Sequence, residues 1–259
     1  MIKNDYGFKI THIQDLGQIQ HGKHNVWNGI SFYTRKNPEA SGKLIVTFHG
    51  ANNSKDGELM NTPLFRGYDW NIGNADLLCL SDKIQEEYRQ TKLILSWYLD
   101  TERHKYWDKY LNIVNAILEC NRYDEVVFIG TSGGGIPAYR MASYFNQSAL
   151  ISNPQIEINK YAYYPHYKKI IEENKDRIIY MNTSELIAEY NRQPRKITYL
   201  CNAHDHQHIE EHARPFTQEI IMQNQIDIRI VFFNDHCVSG KSPHLIYSPR
   251  GKKSILDYI

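Results

Sequence analysis

The sequence predicts an α/β protein with a mostly parallel sheet that helices cover on both faces. Short runs of aliphatic and β-branched residues recur along the chain, and most are continuously apolar, as in parallel strands buried on both sides. Segments with helical spacing lie between them, and this alternation indicates a parallel sheet. The predicted strands cover residues 44–48, 76–80, 92–97, 125–129, 149–152, 196–200 and 227–233.

Apolar residues spaced three and four apart predict two long helices. The first set is Trp107, Leu111, Val114 and Leu118, and the second is Ile209, Ala213, Phe216 and Ile220. The segments GFKITHI (7–13) and GISFYT (29–34) predict antiparallel strands at one edge of the sheet. Residues 154–195 contain no clear strand and predict a small helical insertion that caps a site. No repeat or linker divides residues 1–259, so we expect a single domain.

The composition indicates a globular protein without a strong electrostatic preference. The net charge is +1, which gives no case for binding nucleic acid or an acidic membrane. The first residues lack the apolar core of a signal peptide, and no apolar run has the length of a membrane span. The four cysteines are widely spaced and form no CxxC pair, so we expect reduced thiols in a cytoplasmic protein.

A glycine-rich turn, GTSGGGIP (130–137), lies between a predicted strand and a predicted helix. A phosphate-binding loop requires Lys followed by Ser or Thr after the glycines, and a dinucleotide fold requires GxGxxG with a later acid. Neither pattern is present. The pattern G-x-S-x-G is present and is typical of a nucleophile elbow, where a serine stands on a sharp turn. Ser132 is therefore the predicted nucleophile, and a glycine-rich helix start with an idle serine is the alternative.

An elbow serine needs a base and an acid. In α/β-hydrolases they follow in the order Ser, acid, His, after later strands. Asp205 comes soon after the strand 196–200 and is the predicted acid, although Asp also commonly caps helices. His236 lies three residues beyond the last strand and is the predicted base, with His244 as the alternative.

Two backbone amides are predicted to form an oxyanion hole. One is the N–H of Gly133, directly after the serine. The other is the N–H of Ala51, because His49-Gly50 at a strand end matches the oxyanion turn of this fold. Asn52 is the alternative donor. The side chain of His49 is expected to be a buried structural group.

The histidines at 204, 206, 208 and 212 do not predict a metal site. His208 and His212 have helical spacing, but a zinc-binding HExxH has Glu after the first His, where Ile209 stands. No thiol pair adds ligands. His208 either borders the active site or lies on a solvated helix.

Four segments together resemble a group of bacterial α/β-hydrolase-like proteins of capsule and surface-polysaccharide synthesis. The segments are GTSGGG (130–135), NPQ (153–155), DHQHIEEHARPF (205–216) and the pair CLSD and LSWYLD within 79–100. The chain is similar, over about residues 44–245, to polysaccharide O-acetyltransferases and to acetyltransferases of accessory secretion systems, which use a Ser-Asp-His triad.

The resemblance implies an α/β-hydrolase-like fold and acyl transfer to a carbohydrate. It assigns Ser132 as nucleophile, Asp205 as acid and His236 as base. It also implies acetyl-CoA as the acyl donor, a polysaccharide or sugar as substrate, and capsule-synthesis enzymes as partners. No HGGG segment is present, so a lipid ester is a less suitable substrate.

Candidate substrate-binding residues are Trp70, Trp97, Gln155 and His208. Aromatic side chains in the segments 64–70 and 97–100 can stack on sugar rings, and core packing is the alternative for each of them. Two other functions remain open. The same triad supports a carbohydrate or acetyl esterase, and a non-catalytic relative of this fold binds a glycan or a partner enzyme.

Overall fold

The computed structural model describes residues 9–39, 42–51, 63–88, 91, 93–179, 182–190, 192–222, 227–233 and 255–258. Nine strands within these residues form one sheet. They are β1 (Ile10–His12), β2 (Lys23–Trp27), β3 (Ile30–Arg35), β4 (Lys43–Phe48), β5 (Asp76–Leu80), β6 (Glu125–Thr131), β7 (Ser148–Ser152), β8 (Lys196–Asn202) and β9 (Asp227–Phe233). Their order across the sheet is β1-β2-β3-β5-β4-β6-β7-β8-β9.

The described helices lie between the strands, as the alternating pattern predicts. They are α1 (Lys83–Glu87), α2 (Trp107–Cys120), α3 (Gly135–Phe145), α4 (Tyr164–Glu173), α5 (Thr183–Ala188), α6 (His206–His208) and α7 (Arg214–Met222). A π-helical turn, Ile209–Ala213, joins α6 to α7. None of the helices in the described part of the chain has the length and apolar content to cross a membrane.

Strands β5, β4, β6, β7, β8 and β9 are parallel, and β3 is antiparallel to both β2 and β5. Both faces of the sheet are buried. In β4, Leu44, Val46 and Phe48 belong to one hydrophobic cluster, whereas Ile45 belongs to the cluster on the opposite face. This two-sided burial explains why the central strands are continuously apolar.

The predicted strand at 92–97 is wrong. Residues 93–96 form no strand, and Trp97 and Tyr98 lie in a turn with positive φ angles of 54° and 56°. The physical reason is the sheet order, because β4 already pairs with β5 on one side and β6 on the other. The apolar side chains of this segment are buried against the sheet instead, with Leu93 and Leu95 each 1% exposed.

The edge strands differ from the prediction in detail. β2 was not predicted, and β1 pairs with it in parallel although antiparallel strands were expected there. The strand predicted at 29–34 is β3, and it is antiparallel to both of its neighbours, β2 and β5. The sequence of β2, KHNVW, is polar, and its buried Asn25 is satisfied by the carbonyls of Gln20 and Lys23 at 2.8 and 3.1 Å.

The segment 154–195 contains helices α4 and α5, as predicted. It is attached to the segment around residue 100 through the carboxylate of Asp176. This carboxylate accepts hydrogen bonds from the hydroxyls of Thr101 at 2.6 Å and Tyr88 at 3.0 Å. At the start of the segment, shortly after β7, the backbone N–H of Gln155 donates to the carbonyl of Ser132 at 3.2 Å, so the segment begins beside the residues that follow β6.

Candidate active site

Ser132 stands on a sharp turn between β6 and α3. It directly follows β6 and opens a short 3₁₀ turn, Ser132–Gly134, which leads into α3. Its φ angle is +53°, in the left-handed region that costs a residue with a side chain about 1–2 kcal/mol. A strained serine between a strand and a helix is the geometry of a nucleophile elbow, so the turn has the shape that the sequence predicts.

The glycines of the elbow are required by close backbone approaches. A Cβ atom on Gly130 would lie 1.9 Å from the carbonyl oxygen of Gly134. A Cβ atom on Gly134 would lie 2.6 Å from the carbonyl oxygen of Phe48 and 2.8 Å from that of His49. Side chains at these positions would collide with backbone that cannot move away, which explains the G-x-S-x-G pattern.

The loop His49–Ala51, which follows β4, packs directly against the elbow. A Cβ atom on Gly50 would lie 2.8 Å from the carbonyl oxygen of Thr131 and 3.2 Å from Cβ of Ser132. The same position is 3.6 Å from the backbone nitrogen of Gly133. The loop with the predicted donor Ala51 therefore borders the turn with the predicted donor Gly133. The alternative donor Asn52 lies outside the described residues.

His49 is a buried residue that fixes this loop. Its Nε2 atom accepts a hydrogen bond from the backbone N–H of Asp82 at 3.1 Å, so the proton of the neutral ring is on Nδ1. The Nδ1–H group donates to the carbonyl of Gly50 at 2.7 Å. Burial lowers the pKa of His49, although the nearby Asp82 carboxylate opposes this effect. The ring is therefore a structural group, as expected, and stays neutral.

The hydrogen bond to Gly50 also sets the direction of the next amide. The carbonyl of Gly50 and the N–H of Ala51 belong to one trans peptide, in which the two groups point to opposite sides. Because the carbonyl is held toward the His49 ring, the N–H of Ala51 points away from that ring. His49 thus positions the amide that the sequence predicts as an oxyanion donor.

Asp82 is a further site-supporting residue that the sequence analysis did not single out. Its buried carboxylate accepts hydrogen bonds from the hydroxyl of Ser96 at 2.6 Å and the N–H of Tyr98 at 2.9 Å. Desolvation raises its pKa, and the neighbouring His49 opposes that shift. A signal was available, because Asp82 lies two residues after the buried strand β5, in the segment LCLSD.

Asp205 and Ser132 both lie at the carboxyl ends of the parallel strands. Asp205 follows β8, which is separated from β6 only by β7, so the two residues are on the order of 10 Å apart in the direction across the strands. Its carboxylate accepts a hydrogen bond from the backbone N–H of His208 at 3.0 Å and caps α6. The capping alternative is therefore observed, and the role of Asp205 as a triad acid stays a prediction.

The predicted base His236 and its alternative His244 lie outside the described residues. The last described residue before them is Phe233 at the end of β9. Phe233 pairs with Asn202 at the end of β8, and its carbonyl accepts a hydrogen bond from Ala203 at 2.9 Å. β9 thus ends on the same side of the sheet as Ser132 and Asp205, where the carboxyl ends of the parallel strands lie. Which histidine acts as the base stays a prediction.

Two candidate substrate-binding residues, Trp97 and Gln155, are fully buried behind the elbow. The indole N–H of Trp97 donates to the side-chain oxygen of Gln155 at 2.9 Å, and both residues are 0% exposed. The backbone N–H of Gln155 donates to the carbonyl of Ser132 at 3.2 Å. Neither side chain offers a surface to a sugar in this conformation, so the contacts agree with the core-packing alternative.

The buried histidines of the predicted cluster have protein partners. Nε2 of His208 lies 2.8 Å from the hydroxyl of Tyr199, and Nδ1 of His212 accepts the N–H of Glu157 at 3.1 Å. Both side chains are buried. In the described part of the chain, no three His, Cys, Asp or Glu residues are grouped as a metal site requires.

A cavity of about 270 Å³ borders the loop His49–Ala51. One wall is the loop His49–Ala51, and the other walls are residues 64–70, which include Trp70. Trp70 is a lining residue of this cavity and is itself largely buried. This candidate substrate-binding residue thus lies beside an open space next to the loop His49–Ala51.

Comparisons with known proteins identify similar solved structures but no matching family. No protein-family model and no curated protein matches the sequence. The structure is similar to the capsule O-acetyltransferase of Neisseria meningitidis serogroup A, with a TM-score of 0.54 and 18% identity over 80% of this chain and 84% of that chain. A variant of that enzyme in complex with CoA gives a TM-score of 0.52 at 15% identity, over 81% and 86% of the two chains.

Two other solved structures are similar over comparable lengths of this chain. The glycosylation-associated protein complex Gap123 from Streptococcus agalactiae has a TM-score of 0.52 and 13% identity, over 82% of this chain and 41% of that chain. The S-formylglutathione hydrolase from Agrobacterium tumefaciens has a TM-score of 0.50 and 12% identity, over 80% and 82%. The sheet order, the elbow and these similarities lead to one conclusion: the chain has the α/β-hydrolase fold.

Proposed function

We propose that the protein is a serine acyltransferase that moves an acetyl group from acetyl-CoA to a hydroxyl of a capsular or surface polysaccharide. The observation that carries this proposal is the left-handed Ser132 packed against the loop His49–Ala51. The substrate class comes from the similarity to a capsule O-acetyltransferase, a variant of which was solved with CoA. A CoA donor also fits a cytoplasmic location, and capsule-synthesis enzymes are the partners that this function suggests.

In the proposed first half-reaction, Ser132 Oγ attacks the thioester carbonyl and His236 accepts its proton. The amides of Gly133 and Ala51 stabilise the oxyanion. The C–S bond then breaks, and the imidazolium returns its proton to the leaving sulfur, which departs as the CoA thiol. Asp205 holds the ring in the required tautomer and stabilises the imidazolium.

In the second half-reaction, a sugar hydroxyl attacks the acetyl ester on Ser132. His236 takes the proton of that hydroxyl and gives it to Ser132 Oγ as the ester bond breaks. The products are the acetylated sugar and the free serine. Water in place of the sugar gives acetate, which is the esterase alternative.

The test combines a serine-reactive fluorophosphonate probe with two serine variants. Wild-type protein should be labelled at Ser132. Ser132→Ala should keep its thermal unfolding profile but lose labelling and at least roughly a thousandfold of turnover. Ser143→Ala is the matched control, because Ser143 lies on α3 with its hydroxyl bonded to the carbonyl of Tyr139 at 3.0 Å. This control should keep both labelling and turnover.

The same experiment separates catalysis from a purely binding role. A folded wild-type protein that resists the probe and transfers no acetyl group would support the non-catalytic alternative. Labelling at a serine other than Ser132 would overturn the assignment of the nucleophile.

A further inference from the structure

The cavity beside the oxyanion loop contains one cation. The described residues that line it are His49–Ala51 and Leu64–Trp70, and Arg66 is the single Lys or Arg among them. Burial lowers the pKa of Arg66, and the exposed carboxylate of Asp69 opposes this effect. Its positive charge also acts on the buried ring of His49 and lowers the pKa of that histidine. The cation therefore lies close to the predicted reaction centre.

The backbone that carries Arg66 is held in place by hydrogen bonds. Arg35 donates to the carbonyl of Tyr68 at 2.9 Å and to that of Trp70 at 2.7 Å. The hydroxyl of Thr47, on β4, donates to the carbonyl of Arg66 itself. Gly67 has a φ angle of +86°, which a residue with a side chain rarely adopts, and this closes the turn tightly against Trp70. Such a turn presents its side chains in a fixed position.

The guanidinium of Arg66 forms no ion pair with any residue that the structure describes. Its Cζ atom lies 5.6 Å from the ring centroid of Trp70, which supports the cation without pairing its charge. The Nε atom is buried, and no group of the described residues accepts a hydrogen bond from it. No described carboxylate lies within 4.0 Å of the guanidinium. Arg66 as a whole is half-buried and lines the cavity, so its charge can attract an anionic ligand there.

We propose that this cavity binds an acidic sugar unit of the acceptor glycan, with its carboxylate or phosphate held by Arg66. The planar guanidinium forms paired hydrogen bonds with either anion. The half-buried Tyr68, which also lines the cavity, provides aromatic surface for the apolar face of the sugar. The inference rests on the proposed acyl transfer to a carbohydrate and names the chemistry of its acceptor.

An anion bound in this cavity could belong to the acceptor sugar or to the phosphates of CoA, and the position of the cavity favours the acceptor sugar. The cavity shares the loop His49–Ala51 with the elbow, so an anion there is separated from the acyl carbon by about the width of that loop. The phosphates of CoA are separated from its thioester by the long pantetheine arm. A charged group on the sugar that is acetylated, or on the next sugar, is close enough to its hydroxyls to occupy this position.

The test measures binding rather than turnover, so it does not depend on the proposed catalysis. Dissociation constants for glucuronic acid, glucose 6-phosphate and glucose are measured by calorimetry with the full chain carrying Ser132→Ala. The two acidic sugars should bind at least about tenfold more tightly than glucose. Adding Arg66→Gln should remove this preference, and Arg66→Lys should retain part of it, because lysine keeps the charge without the planar fork.

The matched control is Arg122→Gln. Arg122 is exposed and precedes β6, so it lies at the opposite edge of the sheet from Ser132, and this change should leave the preference intact. Asp69→Asn should strengthen the binding of acidic sugars, because it removes the carboxylate that opposes an anion.

Three results would overturn the proposal. The first is equal binding of acidic and neutral sugars, and the second is a preference that survives Arg66→Gln. The third is weaker binding of CoA but not of acidic sugars in Arg66→Gln, which would assign the anion to the donor.

If Arg66→Gln does not fold, phenylglyoxal modification of the wild-type chain gives the answer. Glucuronic acid should protect Arg66 where glucose does not, and a lack of protection would contradict the proposal.

Discussion

The Nε2 atom of His49 accepts a hydrogen bond from the backbone N–H of Asp82 at 3.1 Å. This contact joins the loop after β4 to the residues after β5, and the opposite ring nitrogen holds the carbonyl of Gly50 at 2.7 Å. A neutral histidine thus connects the ends of two neighbouring strands and orients the amide of Ala51. Its role in the proposed reaction is to position an oxyanion donor.

Replacing His49 with Phe should lower kcat by about a hundredfold. Phe approximates the ring shape but removes both hydrogen bonds, and a small misplacement of a catalytic group costs about this factor. KM for acetyl-CoA should change little, because the amide of Ala51 acts on the transition state more than on the bound substrate. Steady-state kinetics measures both constants. A rise in KM with an unchanged kcat would contradict the positioning role.

Asp205→Asn separates the two roles of this residue. Asn caps helices about as well as Asp, so the free energy of unfolding should change by less than about 1 kcal/mol. Asn cannot stabilise the imidazolium, so turnover should fall by roughly a thousandfold or more if Asp205 is the triad acid. Chemical denaturation and acetyl-transfer rates measure the two effects. Full activity of Asp205→Asn would leave Asp205 as a helix cap only.

We expect the free energy of unfolding to depend on pH because of Glu86, a residue of α1. Burial raises its pKa to about 7, although a hydrogen bond from the hydroxyl of Ser31 at 3.3 Å opposes this effect. The folded state therefore binds the proton more tightly than the unfolded state, whose pKa is about 4.5. The resulting stabilisation is complete below about pH 4.5 and is lost as the pH rises through 7.

Glu86→Gln removes this titration and should be more stable than wild type at pH 8, by about 3 kcal/mol. At pH 5 the difference should fall below about 1 kcal/mol. Unfolding by urea at the two pH values measures it. Glu119→Gln, an exposed change on α2, is the control and should have the same small effect at both. An equal effect of Glu86→Gln at pH 5 and pH 8 would show that Glu86 is ionised in the folded protein.

Most of the sheet could be predicted because its central strands are buried on both faces. The run 76–80 coincides with β5, every residue of which is buried, since only continuous apolar sequence fills such positions. The segment 92–97 has the same apolar composition, but it could form a strand of the sheet only beside a strand that still lacks a neighbour. Which strands lack a neighbour depends on the whole topology and cannot be read from the local sequence.

Strand β2 and the residues Asp82 and Arg66 were not predicted, because their roles depend on contacts that form only after folding. The buried Asn25 in β2 is compatible with a strand because its amide donates to the carbonyls of Gln20 and Lys23, which requires the folded turn before β2. Asp82 and Arg66 are ordinary charged residues in sequence, and their importance depends on what surrounds them after folding. The elbow at Ser132 was predictable because its glycines are required by local backbone contacts that leave a fixed spacing in the sequence.

The last prediction concerns the fate of the acetyl group on Ser132, for which water and a sugar hydroxyl compete. A transferase must bind its acceptor at high effective molarity and shield the ester from water. Helices α4 and α5 of the segment 154–195, proposed here as a cap, and the cavity with Trp70 are suited to these two tasks. Hydrolysis of acetyl-CoA alone should therefore be slow, and adding an accepted polysaccharide should raise acetyl turnover at least about tenfold. The measurement follows acetate and acetylated glycan separately, with acidic and neutral capsule polymers. Rapid release of acetate from an acetylated glycan, with no polymer gaining acetyl, would make the enzyme an esterase.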